Sequence, residues 1–274
     1  LKALGIQNVL ACPSGSAIAT EAAAHADVRP MPMKGDADVA LTGRLRRLIR
    51  EVQPDVVHLH SRRGSDVWGA LAGRLEGVPV VLSRRVDNPE KPWLVKLKYR
   101  LYDEVITISD GIRQVLLSEG VPESKVHCVL SAVDTDQYQP GQPDRAWFQR
   151  EFKLQPDALT IGMVAQFIPR KGHHTLLEAL PAVITRHPQV QVLLFGQGPL
   201  WEEINSLVQA SPLLAKHVQL PGFRKDLARV LPCLDAVAHP AFMEGLGVSL
   251  LQAAACGVPL VGGRAGGKIG RAHV

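Results

Sequence analysis

Long apolar runs and paired cysteines are both absent from the sequence. No apolar run approaches the roughly 20 residues that a membrane-spanning helix needs, and no secretory signal is present. The cysteines Cys12, Cys128, Cys233 and Cys256 are scattered without paired spacing. We therefore expect reduced, mostly buried thiols, as in a cytosolic protein. Histidine, cysteine and carboxylate residues show no metal-ligand spacing, which predicts chemistry without a metal.

The composition is that of a globular chain. Of 274 residues, 46% are hydrophobic and 21% are charged, and this length suggests about two domains. The 31 basic and 26 acidic residues give a net charge of +5. Such mild basicity suits anionic small molecules or an anionic membrane surface, and it is too weak to indicate a nucleic-acid partner.

Short apolar strands alternate with amphipathic helices along most of the chain, beginning with a strand at Asn8–Ala11 and ending with one at Val258–Val261. The alternation predicts an α/β protein with parallel sheets covered by helices on both faces. The segment Ser131–Arg145, with two prolines, a glycine and no apolar period, is the predicted hinge. Two sheets joined in this way predict a cleft, because α/β sheets bind ligands beyond the carboxyl ends of their strands.

The stretch Phe242–Pro259 joins a Glu-Gly-x-Gly turn to a short apolar helix that ends at Gly257. Gly245 and Gly247 allow a tight bend and a close approach to a ligand. The helix that begins near Val248 directs unpaired N–H groups at the turn, which favours an anion there.

Glu244 would repel a phosphate, so its place in this turn fits a neutral polyhydroxylated group beside the phosphate. Gln252 lies about two helical turns further on and is expected on the same side. Together these residues indicate a nucleotide-sugar site. The alternative is a strand-turn-helix packing unit without a ligand.

A glutamate, seven residues, a second polar position and then Ala-x-x-x-Gly-x-Pro resemble the signature of family-four retaining glycosyltransferases, which have the GT-B fold. The resemblance implies two Rossmann-like parallel-sheet domains facing a cleft. It implies that Glu244 binds donor-sugar hydroxyls and that the amides of Gly245, Leu246 and Gly247 hold sugar and diphosphate. Gln252 replaces the family's second acid at the nucleotide ribose, and we expect altered affinity rather than loss.

The segment Met163–Gly172 resembles the family's Val-Gly-Arg-x-x-x-x-Lys-Gly sequence, whose cations neutralise the donor diphosphate. Lys171 matches, whereas Gln166 stands where the family has arginine. Arg170 could supply the missing charge, although neighbouring loop residues need not point the same way. The alternative makes Arg170 and Lys171 solvated loop charges.

Two further turns resemble family segments. Leu220–Asp226 matches a strand-end Gly-x-x-x-Asp region near the nucleobase, which makes Gly222, Phe223 and Arg224 base-side candidates. Residues 196–199, Gly-Gln-Gly-Pro, resemble a family turn, and a tight turn without ligand contact is the favoured interpretation.

His58 and His60 alternate on a strand, and we expect them on opposite faces. His60 lies at the carboxyl edge, where the resemblance implies that a histidine reaches the donor sugar from across the cleft. A structural role is the alternative for His60, and His58 is expected to be a core or packing residue.

The stretch Ser83–Leu101 holds six basic and two acidic residues interleaved with aromatic ones. Its helix, Pro92–Tyr102, resembles the basic aromatic helix by which envelope-building members of the family touch anionic membranes. A solvated surface helix is the alternative.

The two ends of the sequence predict a fragment. The sequence begins at Leu1 rather than at a methionine. Gly266-Gly267 resembles the family's Gly-Gly-x-x-Glu loop, but the glutamate of that loop is missing here. Residues 269–274 resemble a non-native tail. We therefore predict an acceptor-side domain at 1–140 that lacks its first strand, and a truncated donor domain at 141–268. Such a fragment is expected to be inactive.

The predicted activity is metal-independent transfer of a hexose-like sugar, with retention, from a nucleoside diphosphate sugar to a saccharide or lipid-linked acceptor. The predicted setting is cell-envelope polysaccharide or lipopolysaccharide synthesis in the cytoplasm, at the inner membrane face, with no cofactor besides the co-substrate. Alternatives are an epimerase or phosphorylase on the same fold, or a non-catalytic sugar-binding subunit.

Overall fold

A computed structural model of the chain describes residues 4–60, 64–86 and 89–265. The chain forms two compact units that divide between Val129 and Leu130. The predicted hinge therefore lies in the second unit, where Tyr138 is buried in the same apolar cluster as Phe148. The predictions for Gly266-Gly267 and for the tail at 269–274 fall outside the described residues.

The first unit contains short parallel strands and five described helices. The strands are β1 (Val9–Pro13), β2 (Asp27–Met31), β3 (Val57–Leu59), β4 (Val80–Arg84), β5 (Glu104–Thr107) and β6 (Val126–Cys128). The helices are α1 (Ala17–Glu21), α2 (Ala40–Val52), α3 (Ser65–Leu75), α4 (Pro92–Lys98) and α5 (Asp110–Ser118). Strand β2 was not expected, because its sequence, Asp-Val-Arg-Pro-Met, has a proline and no apolar alternation.

The strands of this unit lie in two separate sheets. β1 pairs only with β2, and β3 to β6 form a four-stranded sheet in chain order. A cavity of about 390 Å³, lined mainly by apolar residues of β1, α2 and β3, borders both sheets.

Buried charges fix α4 to the first unit. Lys98 Nζ lies 2.6 Å from Asp66 Oδ2 and 3.0 Å from Glu90 Oε1. Arg84 Nη1 also lies 3.0 Å from Glu90 Oε1. Arg84 and Lys98 were counted among the basic residues of the predicted membrane-facing stretch. Both are instead interior ion-pair partners, because the carboxylates that they bond are buried as well.

The second unit contains five strands, all parallel, and six described helices. The strands are β7 (Leu159–Val164), β8 (Val190–Phe195), β9 (Val218–Gly222), β10 (Ala236–His239) and β11 (Leu260–Gly262). The helices are α6 (Arg145–Phe152), α7 (His173–Arg186), α8 (Trp201–Ala210), α9 (Pro212–His217), α10 (Leu227–Val230) and α11 (Val248–Ala255).

The sheet of the second unit has the strand order β11-β10-β7-β8-β9. The chain winds outward from β7 to β9 and then returns to the other side of β7. This reversal places a crevice outside the carboxyl ends of β7 and β10, the position where doubly wound sheets bind ligands. The predicted α/β class with parallel sheets in two Rossmann-like halves is confirmed.

Apolar clusters cover the sheet of the second unit. One contains Phe148 and Phe152 of α6 with Leu250 of α11, and another contains Leu180 of α7 and Ile204 of α8. Within the described residues no helix is both long and apolar enough to cross a bilayer.

Candidate functional site

The loop after β7 packs directly against the loop after β10. A single 3-10 turn, Pro169–Lys171, ends at Gly172, whose φ is +79°. A Cβ on Gly172 would lie 2.4 Å from the carbonyl oxygen of Pro240. Glycine is therefore required both by the left-handed backbone and by the close approach. This contact brings Lys171 beside the Glu-Gly-x-Gly turn.

Glu244 is held by three donors. Its Oε2 accepts from Lys171 Nζ at 2.5 Å and from His239 Nε2 at 2.8 Å. Its Oε1 accepts from its neighbour's amide, Gly245 N, at 3.1 Å. The side chains of Lys171, His239 and Glu244 are 12%, 1% and 9% exposed. The predicted catalytic pair Glu244 and Lys171 is thus brought together as a largely buried ion pair.

Two opposing effects set the pKa of Glu244. Burial raises it, because a charged carboxylate loses hydration. The hydrogen bonds from His239 and Lys171, together with the charge of Lys171, outweigh burial and lower the pKa to about 2. The carboxylate is therefore ionised and can only accept, so His239 Nε2 carries a proton.

Arg170 points toward the same loop as Lys171. Its Nη1 donates to the carbonyl oxygen of Met243 at 3.2 Å, and its own carbonyl oxygen accepts from Phe242 N at 3.2 Å. The interpretation of Arg170 and Lys171 as solvated loop charges is therefore wrong, because both cations bond the segment that carries Glu244.

His173 and His239 are two buried histidines that the sequence did not single out. His173 begins α7, is 1% exposed and stacks on Phe167 with ring centroids 4.3 Å apart. Its two ring nitrogens have no hydrogen-bond partner among the described residues. Burial, with the nearby charges of His174, His239 and Lys171, lowers the pKa of His173 to about 4. The His-His pair after Lys-Gly was the available signal.

The turn Gly245–Gly247 is buried and leads into α11. Gly247 adopts a left-handed backbone with φ +78° immediately before the helix. The amide of Gly245 is already used by the Glu244 carboxylate, which leaves Leu246 and Gly247 as the amide candidates. Gln252, on α11, hydrogen-bonds the hydroxyl of Tyr138.

The remaining donor candidates lie at the carboxyl ends of neighbouring strands. Gln166 is exposed just beyond β7. Gly222 closes β9 with φ +81°, and its carbonyl oxygen accepts from Gly196 N at 2.9 Å. Phe223 follows with 60% of its surface exposed. The strand ends thus place these three residues at one edge of the sheet.

The Gly-Gln-Gly-Pro turn has a packing role. A Cβ on Gly196 would lie 1.9 Å from the carbonyl oxygen of Ala165, and one on Gly198 would lie 2.6 Å from that of Phe167. The two glycines let this turn lie against the loop that leads to Lys171.

His58 and His60 lie on the same face of β3's extension, with ring centroids 4.0 Å apart. The expectation of opposite faces was wrong, because residues two apart on a strand point the same way. His58 is exposed, with its Nε2 2.9 Å from Ser83 Oγ, and is not a core residue. Burial of its ring, the neighbouring His58 and Arg85 lower the pKa of His60 to about 4, although the residue as a whole stays exposed.

No three His, Cys, Asp or Glu side chains come together in a metal-binding arrangement within residues 4–60, 64–86 and 89–265. Metal-independent chemistry remains a prediction.

Two family models match this chain. The family model described as Glycosyltransferase Family 4 matches residues 1–137, half of the chain. The model described as Glycosyl transferases group 1 matches residues 157–272, which include Lys171 and Glu244. The chain belongs to glycosyltransferase family 4.

Curated relatives of this family-four chain include two bacterial enzymes. One is the GDP-mannose-dependent alpha-(1-6)-phosphatidylinositol monomannoside mannosyltransferase of Mycolicibacterium smegmatis, 29% identical over 83% of the chain. Another is the UDP-Gal:alpha-D-GlcNAc-diphosphoundecaprenol alpha-1,3-galactosyltransferase of Escherichia coli, 23% identical over 79%. The chain spans 63% and 59% of the lengths of these two relatives.

Solved structures agree on the fold of the family-four chain. Anabaena Alr3699/HepE in complex with UDP and glucose has a TM-score of 0.81 at 20% identity, covering 94% of this chain and 73% of that one. Sucrose-phosphate synthase from Thermosynechococcus elongatus has a TM-score of 0.75 at 17% identity, covering 97% and 73%. These likenesses establish the predicted GT-B fold.

Proposed function

We propose that the protein containing this chain transfers a sugar, with retention, from a nucleoside diphosphate sugar to an acceptor in the synthesis of cell-envelope glycolipids. The observation that carries the proposal is the ion pair of Lys171 and Glu244 outside the carboxyl ends of β7 and β10. A cation and an acid held together in that crevice fit a ligand that is anionic at one end and hydroxylated at the other.

The proposed role of Lys171 and Arg170 is to stabilise the departing diphosphate. In the transfer, the bond between the sugar's anomeric carbon and the diphosphate oxygen breaks, and the diphosphate keeps the electron pair. Lys171, with Arg170 beside it, would stabilise that charge electrostatically. The acceptor oxygen would form the new bond to the anomeric carbon on the face that the diphosphate leaves, and its hydroxyl proton would pass to the departing diphosphate oxygen. Charge on the diphosphate therefore develops where the loop after β7 supplies two positive groups.

The turn after β10 serves the sugar. Glu244 is ionised, so it can accept hydrogen bonds from donor-sugar hydroxyls, and its Oε1 accepts from Gly245 N. The amides of Leu246 and Gly247 and the start of α11 favour the sugar and diphosphate oxygens. Gln252 would bond the nucleotide ribose, and the exposed Phe223 beside Gly222 would lie against the base.

The relatives support a lipid-linked acceptor. The Mycolicibacterium smegmatis enzyme is named for GDP-mannose and a phosphatidylinositol monomannoside. The Escherichia coli enzyme is named for UDP-Gal and a diphosphoundecaprenol carrier. Base and sugar differ between these names, but both acceptors carry an anionic lipid, which suits a protein of mild positive charge. From the first unit, His60 remains the residue proposed to reach the donor sugar.

The outer face of α4 supports contact with an anionic membrane at its cytoplasmic side. Trp93 and Leu97, one helical turn apart, are 68% and 63% exposed. Lys96 and Arg100 are exposed next to them. Apolar groups flanked by cations are typical of surfaces that lie in the headgroup region, and the interior pairing of Lys98 leaves this outer face available.

A two-step experiment tests the function. Thermal shift and calorimetry with a panel of UDP- and GDP-sugars on the whole gene product would identify the donor. Transfer would then be followed with phosphatidylinositol-type and polyprenyl-diphosphate acceptors, and the anomeric configuration of the product read by NMR. We expect saturable transfer with retention that persists in a metal chelator.

Other outcomes assign other functions. Interconversion of the donor sugar without an acceptor would indicate an epimerase. Phosphate-dependent breakdown would indicate a phosphorylase. Tight donor binding with no turnover on any acceptor would indicate a sugar-binding subunit. Each of these results contradicts the proposed transfer.

A further inference from the structure

The Glu244 carboxylate has two donors on one oxygen, and they differ in how firmly the fold holds them. His239 is the last residue of β10, is 1% exposed, and lies opposite Gly262 in the sheet. Its carbonyl oxygen accepts from Gly263 N at 3.2 Å. Lys171 lies on a 3-10 turn, at the end of a flexible four-carbon side chain.

A bound diphosphate would also affect these two donors differently. A diphosphate attracts the ammonium group of Lys171, which has three donors and no fixed orientation. A buried carboxylate that loses a partner carries a large desolvation cost. If Lys171 were the sole side-chain donor to Glu244, turning it toward a diphosphate would therefore work against nucleotide binding.

We infer that His239 is a positioning residue that keeps Glu244 in place while Lys171 passes from Glu244 to the diphosphate of the donor. The inference rests on the proposed function, which supplies the diphosphate. His239 itself touches no ligand in this arrangement. It acts by keeping one fixed hydrogen bond on Oε2 throughout, so the carboxylate stays oriented toward the sugar.

A specific consequence separates this role from simple packing. UDP and GDP lack the sugar that Glu244 would bind. Removing the His239 donor should nevertheless weaken the binding of UDP and GDP. Lys171 then becomes the remaining side-chain partner of Glu244, so its release toward the diphosphate costs more free energy. In a Glu244→Gln background there is no carboxylate to hold, and the effect should disappear.

The experiment is a calorimetric double-mutant cycle on the whole gene product, using UDP and GDP as probes. For whichever nucleotide binds the wild-type protein, His239→Leu should raise the dissociation constant by about tenfold or more. This is the effect of losing one hydrogen bond to a charged group. The same substitution in Glu244→Gln should change affinity less than about twofold.

Two polar variants serve as matched controls and keep the test valid if His239→Leu fails to fold. Glutamine places its amide nitrogen near the position of Nε2, and asparagine places its own near Nδ1. His239→Gln should retain nucleotide affinity within about threefold, whereas His239→Asn should behave like His239→Leu. Circular dichroism and thermal melting would be recorded for each variant.

The inference is overturned if His239→Asn binds nucleotide as wild type does, or if the loss is equal with and without the Glu244 carboxylate. Wild type that binds neither UDP nor GDP would overturn the proposed function and this inference together. That result is recognisable because it requires no variant.

Discussion

Both units of the chain are built on parallel strands, but these strands form one sheet in the second unit and two sheets in the first. In the second unit β7 is flanked by β8 and β10, so one sheet of five strands is continuous. In the first unit the strands lie in two sheets, and an apolar cavity of about 390 Å³ borders both. A continuous sheet fixes the loops after β7 and β10 against each other. In the first unit, His60 at the carboxyl end of β3 is exposed.

The difference extends to how each unit uses a buried lysine. Lys98 in the first unit is 7% exposed and bonds two carboxylates, Asp66 and Glu90. Lys171 in the second unit is 12% exposed and bonds Glu244, which has a second side-chain partner. Lys98 is enclosed by structure, whereas Lys171 lies in the crevice. We expect the first to serve stability and the second to serve ligand binding.

The largest predicted effect tests that division. Lys98→Met should destabilise the first unit by about 3–5 kcal/mol, because Asp66 and Glu90 keep buried charges without their cation. Lys171→Met should cost less stability, since His239 still bonds Glu244, but should remove most nucleotide affinity. Hydrogen exchange resolved by unit and calorimetry with UDP and GDP measure the two effects.

Equal loss of protection in both variants would contradict the comparison. So would nucleotide affinity that Lys171→Met leaves intact. Lys96→Met is the matched control, because Lys96 is exposed on the same helix as Lys98 and should change neither quantity.

Glu244→Ala should lower sugar transfer by at least about a hundredfold, because the donor sugar loses its charged acceptor in the site. Glu244→Gln keeps the shape of the side chain and should also fall sharply, which would attribute the loss to charge. Thermal melting of both variants checks that the fold persists. Turnover at the wild-type rate in either variant would remove Glu244 from the proposed site.

Gln166→Arg should tighten binding of the donor by roughly 1.5–3 kcal/mol, because it adds a charge-assisted bond to the diphosphate beyond β7. Calorimetry against the same nucleotide sugar measures the change, with Gln166→Leu as the uncharged control. Unchanged affinity would indicate that Arg170 already neutralises the diphosphate.

The smallest predicted effect concerns acid stability. The pKa of His173 is about 4, below its ordinary 6.5, mainly because of burial. Between pH 6.5 and 4 the unfolded chain binds a proton that the folded chain refuses, so stability falls as the pH falls. His173→Phe keeps the stack on Phe167 and should be more stable than wild type at pH 5 by about 1–2 kcal/mol.

At pH 8 the two proteins should differ by packing alone, and denaturant titrations at the two pH values separate the terms. The pKa of His60 is also about 4, but its exposure predicts a smaller effect for His60→Phe. A larger acid effect at His60 than at His173 would reverse the comparison of the units.

Much of the fold was readable because apolar strands and amphipathic helices have distinct periods. The elements that were missed are informative. Helix α6 follows a segment rich in proline and glycine, although Asp144 caps it by accepting from Trp147 N at 3.1 Å. Helix α9 is similarly capped by Ser211. In both cases the local cap was present in the sequence, but tertiary burial decided that a helix forms.

The site was only partly predictable. Glu244 and Lys171 were identified from motifs, and the structure adds that they bond each other. His239 belonged to no motif that would have singled it out, although it lies only five residues before Glu244, which it bonds. The direction of Arg170 was likewise undetermined, since a loop's side chains are oriented by what packs against them. Long-range pairing brings Lys171 to Glu244, whereas the bond from His239 is local.

The distribution of thiols has a practical consequence. Cys12, Cys233 and Cys256 are buried, while Cys128 is exposed immediately before the division between the units. Burial raises the pKa of Cys233 and Cys256, which keeps them protonated and slow to react with alkylating agents. A maleimide fluorophore should therefore label the native protein at Cys128 alone among the four. The chain thus carries, without mutagenesis, an attachment point for an optical reporter at the junction of its two halves.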